Sequence, residues 1–151
     1  AASGYGSDKA IFGYGSVASP GLSMTNLVSN VGVVATDTSG VGTARRELAA
    51  ASYGGDKAIF GYGVISTQSS LTNLVSSSGV VSADVTGVGT ARTALAAASY
   101  GGDKALFGYG STGSVSSLTN LVSNSGVVAT DTTGVGTARN NLTAAGYSQS
   151  A

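Results

Sequence analysis

Bulky apolar residues come in short bursts separated by glycine-containing turns, and that punctuation predicts strands. In the last third of the chain "TARNNLTAAGYS" reads as a first strand, small and apolar. "KALFGYG" gives a second, with Leu106 and Tyr109 among its bulky residues. "SLTNLVSN" alternates loosely as a third, and "GVVATD" opens a fourth on Val127 and Val128. Gly101-Gly102-Asp103 suits a tight hairpin turn, because glycine enters positive φ without strain. Gly126 and "TTGVG" mark later reversals. Four strands of about five or six residues plus their turns fill roughly 47 positions. One segment disputes the pattern: "TARRELAAAS" is rich in the helix formers Ala, Arg, Glu and Leu. Its counterpart "TARNNLTAAG" is a poor helix, and equivalent positions share a conformation, so we read strand at both.

The equivalence comes from repetition, which governs everything else. Arg45, Arg92 and Arg139 are spaced by 47 residues, as are Asn26, Asn73 and Asn120. Asp56 and Asp103 are 47 apart, but Asp8 and Asp56 are 48 apart. The extra residue falls in the loop "SVASPGLS", which is one longer than "VISTQSS" or "STGSVSS" and holds the only proline, Pro20. Insertions collect in loops because loops tolerate them. Residues 1–151 are therefore one repeat array, with units at about 5–52, 53–99 and 100–146 and the start of a fourth at 147–151.

The run "GTARTALAAASYGGDKALFGYG" (Gly89 to Gly110) resembles the kelch repeat: an Arg-containing strand, small apolar residues, a Gly-Gly turn, then a strand ending in aromatic and glycine. The resemblance covers the chain three times over, and the period of about 50 residues fits that family. Two features depart from it. "GYG" stands where kelch units usually carry a glycine doublet, and the chain has no tryptophan. Arrays of "DKAIFGYG", "TNLVSN", "GVVATD" and "GVGTAR" also look like repeat proteins of tailed bacteriophages. The resemblance implies that each unit is one four-stranded blade of a β-propeller, three per chain, in a structural component of a virion or appendage.

A blade needs a neighbour on each face, and propellers close with about four to eight blades. Three blades alone leave two raw faces and exposed strand edges. The expected partner is therefore the chain itself, as a homodimer closing a six-bladed ring, or flanking domains of a longer chain. A β-trefoil is the alternative all-β architecture, since three units of this length also build one and it closes as a monomer.

Composition narrows the function. Charged residues are 9% of the chain, and seven basic residues cancel seven acidic ones. That argues against a nucleic-acid binder, which needs a basic face, and against a polybasic membrane anchor. No apolar run approaches the ~20 residues needed to insert into a membrane as a helix. A neutral Ser/Thr/Gly-rich surface also has little charge repulsion to keep copies apart. Cysteine and histidine are absent and Glu47 is the single glutamate, so the usual nucleophiles, general bases and soft metal ligands are mostly missing. Nearly every charge also recurs once per unit, whereas an active site needs a unique constellation. The expectation is no enzyme, no cofactor and no metal. Asp37, Asp84 and Asp131 supply only one carboxylate per unit, too few for a calcium cage.

Two recurring sets remain as ligand or interface candidates: Tyr14, Tyr62 and Tyr109, and Arg45, Arg92 and Arg139. Tyrosine suits packing between blades, and it also suits stacking on a sugar. The arginines suit a blade junction, bonded to carbonyls or to an Asp84-type carboxylate, or else a central channel that holds an anion. The aspartates of the "DK" turns suit pairing with Lys9, Lys57 and Lys104 or capping of turn amides. A multivalent, lectin-like carbohydrate-binding protein is thus the second functional reading.

Overall fold

A computed structural model describes residues 1–17 and 21–146 of the chain. The expected start of a fourth unit at 147–151, with Tyr147, and the loop residue Pro20 lie outside the described residues. Each repeat folds as a three-stranded antiparallel sheet whose strands follow chain order. Its first strand begins a few residues ahead of the unit boundary at Tyr5, Tyr53 or Tyr100, so a structural unit starts with that strand. The first holds β1 (Ala2–Tyr5), β2 (Lys9–Gly13) and β3 (Thr25–Val28). The second holds β4 (Ala49–Tyr53), β5 (Lys57–Gly61) and β6 (Thr72–Val75), and the third β7 (Ala96–Tyr100), β8 (Lys104–Gly108) and β9 (Thr119–Val122). Among the described residues there is no helix. The fold is all-β.

The disputed segment settles as strand in its second half. Ala49, Ala51 and Tyr53 of β4 are buried and alternate with half-buried Ala50 and Ser52, the two-residue period of a pleated ribbon. The Gly54-Gly55-Asp56 turn returns the chain, with Tyr53 opposite Lys57, and both glycines have positive φ (61° and 80°). The counterpart at 137–146 forms no strand. β4 and β7 pair with the "KAIFG" and "KALFG" segments that follow them, and among the described residues, 137–146 have no such pairing partner.

The expected fourth strand also differs. "GVVATD" and its equivalents touch the third strand only through isolated bridges, Val28 to Val34 and Thr25 to Thr38 in the first unit. Between them the Ala35 amide donates to the Leu27 carbonyl at 2.8 Å. The segment follows the sheet edge without a continuous ladder.

The hydrophobic core lies between sheets rather than within one. β4 lies against β1, and β7 lies against β4. One cluster joins the first and second units through Tyr5, Ile11, Leu48, Ala58, Phe60 and Val75. The other joins the second and third through Ala51, Tyr53, Ile59, Leu95, Ala105 and Phe107. Position in the stack therefore sets burial. In β5, covered on both faces, Ala58, Ile59, Phe60 and Gly61 are all buried. In β2, covered on one face, Ile11 is buried but Phe12 is 50% exposed. Val34 is likewise exposed, whereas its counterparts Val81 and Val128 pack on the two clusters. At the other end Leu121 is exposed while Leu27 and Leu74 pack on the clusters.

Candidate functional site

The tyrosine and arginine sets meet at the junctions between units. After β2 the chain turns sharply through Gly13-Tyr14-Gly15, with Tyr14 in the left-handed region at φ 62°; Tyr62 and Tyr109 repeat this at 64° and 63°. Such a conformation is uncommon for a residue with a side chain, and at Tyr14 and Tyr62 the ring it presents is packed by an arginine and a phenylalanine. The Tyr14 ring lies 5.2 Å from that of Phe60, tilted by 59°. The Arg45 guanidinium sits over it at 4.8 Å. Tyr62 repeats the arrangement with Phe107 at 5.1 Å and Arg92 at 4.8 Å. The hydroxyls of Tyr14 and Tyr62 donate to the Val41 and Val88 carbonyls at 3.1 Å. Burial pushes the Tyr14 and Tyr62 phenols up to about 12, against the opposing pull of Arg45 and Arg92.

Arg45 and Arg92 are fully buried, so each charge needs compensation. The next unit supplies it. Arg45 Nη2 donates to Asn73 Oδ1 at 2.5 Å, and Nη1 to Asp84 Oδ1 at 3.4 Å and to the Thr43 carbonyl at 3.3 Å. Asn73 Nδ2 donates in turn to Asp84 Oδ1 at 3.0 Å and to the Ser82 carbonyl at 3.1 Å. The Thr43 amide and hydroxyl donate to Asp84 Oδ2 at 3.0 and 2.7 Å. Asp84 is thus held by groups from both units. Arg92, Asn120, Asp131 and Thr90 rebuild this socket one junction on, with Nη2 to Oδ1 again at 2.5 Å. Among the described residues, the buried side-chain nitrogens and oxygens without a partner are Nε of Arg45 and Nε of Arg92.

Burial alone would raise the Asp84 and Asp131 carboxyls, but the bonds from threonine and asparagine together with the arginine charge hold both below the usual carboxylate value. A carboxyl with a lowered folded pKa adds stability that is present above its unfolded value of 3.8 and is lost as pH falls through the folded value. Asp8 and Asp103, held low chiefly by their bonds to Lys9 and Lys104, act in the same direction from the surface. Melting temperature should therefore be flat above about pH 5 and fall steeply below about pH 4. An Asp84→Asn/Asp131→Asn chain should start from a lower plateau and show a shallower acid limb. An equally steep limb in that variant would assign the acid sensitivity to other groups.

Glycine makes each junction possible. A Cβ on Gly13 would fall 2.7 Å from Phe60 Cζ, and one on Gly61 2.6 Å from Phe107 Cζ. The aromatic ring of one unit is seated on the bare backbone of the unit before it. Gly42 and Gly89 in the same way clear space for the Asn73–Asp84 and Asn120–Asp131 pairs.

At the two ends of the stack the same residues stand half-assembled. Asn26 Nδ2 donates to Asp37 Oδ1 at 2.8 Å, but among the described residues no arginine reaches this pair. Arg139 is exposed; its guanidinium lies 4.1 Å over the Tyr109 ring and donates to the Thr137 carbonyl at 3.0 Å. Asn26, Asn73 and Asn120 carried no role in the sequence reading, and neither did the phenylalanine set. The shared 47-residue spacing of Asn, Asp and Arg was the available signal. The "DK" pairs bond side by side, at 2.9, 3.2 and 3.1 Å. Among the described residues no group of three or more Asp or Glu side chains could hold a metal ion.

The fold and its junctions define an all-β array of three like sheets joined by buried arginine sockets. No protein-family model and no curated protein matches the chain.

Proposed function

We propose that the chain is a non-enzymatic structural module: three blade-like wedges of a kelch-like β-propeller that works by self-association in a virion or appendage, of the kind found in phage tails. One observation carries the reading. The conspicuous side chains, Arg45, Arg92, Tyr14, Tyr62, Asp84 and Asp131, join unit to unit, while among the described residues the two terminal units present half-assembled versions of the same surfaces. A scaffold that grows by adding units looks like this, and a catalyst that gathers unlike groups in one cleft does not.

A propeller is favoured over a trefoil by the open end of the stack. Closure of three units on themselves would cover Phe12 as it covers Phe60 and Phe107, yet Phe12 is half exposed and the other two are buried. The sugar-binding alternative is weakened at Tyr14 and Tyr62, because each ring already lies under an arginine guanidinium and packs, tilted, against a phenylalanine.

Negative-stain electron microscopy of the purified chain should show rings with more than three lobes around a central hole. Isolated three-lobed particles at all concentrations would favour a trefoil and overturn the propeller. A glycan array read beside it should be blank. Saturable binding of a glycan would transfer the assignment to a carbohydrate-binding protein.

A further inference from the structure

The two end faces of the stack are complementary halves of the internal junction. Across each internal junction the leading unit contributes a tyrosine, an arginine and a bare strand glycine: Tyr14, Arg45 and Gly13, then Tyr62, Arg92 and Gly61. The following unit contributes a phenylalanine, an asparagine and an aspartate: Phe60, Asn73 and Asp84, then Phe107, Asn120 and Asp131. The third unit offers Tyr109, Arg139 and Gly108, with no following unit among the described residues. The first unit offers Phe12, Asn26 and Asp37, with no leading one.

Arg139, Phe12 and the ring-free Gly108 differ from their internal counterparts in the way an open half-site requires, although the Gly108 backbone is itself buried in the single chain. Arg139 is exposed although Arg45 and Arg92 are fully buried. Phe12 is half exposed although Phe60 and Phe107 are not exposed at all. A Cβ on Gly108 would meet no ring, its nearest neighbour being Thr119 Cγ2 at 3.3 Å, where Gly13 and Gly61 carry a phenylalanine. The charges are opposite, Arg139 on one face and Asp37 on the other.

We infer that a second copy of this chain docks head to tail on the third unit, so that its Asn26 and Asp37 receive Arg139, and its Phe12 lies between Tyr109 and Gly108. This deepens the self-association proposed above and rests on it. The contact is heterologous, one face against a different face, so two such contacts are needed to close two copies into a ring. Gly146 now abuts the Ser99 side chain, on ground the incoming β1 takes. Residues 143–146 lie in no strand, whereas β1 is paired with β2 throughout, so the tail segment yields.

Sedimentation velocity on full-length variants tests the docking. Arg139→Ala and Asp37→Ala should each weaken self-association roughly 30- to 5,000-fold, the usual range when one partner of a desolvated, hydrogen-bonded charge pair is truncated. Far-UV circular dichroism should not change, because both groups are exposed in the single chain. Mixing the two variants should recover a two-chain species at concentrations where each alone is monomeric, since one of the two contacts in the mixed pair is intact. Gly108→Ala should block association with little effect on the fold, while Gly61→Ala should destabilise the single chain by driving a Cβ into Phe107. If wild type associates and Arg139→Ala, Asp37→Ala and Gly108→Ala associate as tightly, this docking is wrong and self-association through another surface stands. Rescue absent from the mixture would mean a symmetric face-to-face contact, which also overturns it. If wild type stays monomeric, both proposals fall.

Discussion

Phe107→Ala should lower the stability of the single chain by about 3–5 kcal/mol, the cost of emptying a fully packed aromatic site, whereas Phe12→Ala should cost less than about 1 kcal/mol. The two residues hold equivalent places in equivalent strands, β8 and β2, and differ in having a neighbour. Phe107 rests on the Gly61 backbone and against Tyr62, inside the cluster with Ile59 and Leu95. Its loss opens a cavity that rigid strand backbone on one side cannot fill. Phe12 faces solvent over half its surface, so little burial is lost with it. Urea unfolding of the two variants, at concentrations that keep chains apart, gives the comparison. Equal losses would mean that the first sheet is covered after all.

Arg92→Ala should be of similar size, about 3–5 kcal/mol, because removing one partner of a buried ion pair strands the others. Asn120 Oδ1 loses its donor, Asp131 loses its positive charge, and the Tyr62 ring loses the guanidinium over its face. Asp131 keeps the Thr90 bonds and is a quarter exposed, which places the effect toward the lower end of that range. Arg92→Lys should rescue little, since an ammonium cannot stack flat on the ring while reaching both oxygens. Arg139→Ala is the internal control and should leave the dilute chain's unfolding midpoint nearly unchanged. A midpoint for Arg92→Ala close to wild type would mean that the socket is held by its other bonds and that the arginine is dispensable.

The sequence was most informative where three versions of one unit could be compared. The strand in "TARRELAAAS" was legible only because "TARNNLTAAG" is a poor helix; β4 then begins at Ala49, and helix propensity in Arg45 to Leu48 is overridden by pairing, Arg46 with Val64 and the Arg45 carbonyl with the Gly15 amide. The fourth strand was over-read. Val127 and Val128 suggest a ladder, but only isolated bridges form, Val122 to Val128 and Thr119 to Thr132 in that unit. The arginine and tyrosine sets could be picked out by recurrence. Their joint purpose could not, because the groups that complete each socket lie 28 and 39 residues further on and in the next unit. The glycine slots were invisible for a related reason: Gly13 and Gly61 read as strand-ending glycines until the Phe60 and Phe107 rings are seen resting on them.

The arginine sockets and phenylalanine slots make each sheet incomplete without a neighbour, so the ends of the stack should find one. Sedimentation equilibrium of the 151-residue chain tests this most directly. A species of twice the 14.5 kDa chain mass, dissociating on dilution, is expected. A single 14.5 kDa species across the whole micromolar range would contradict it.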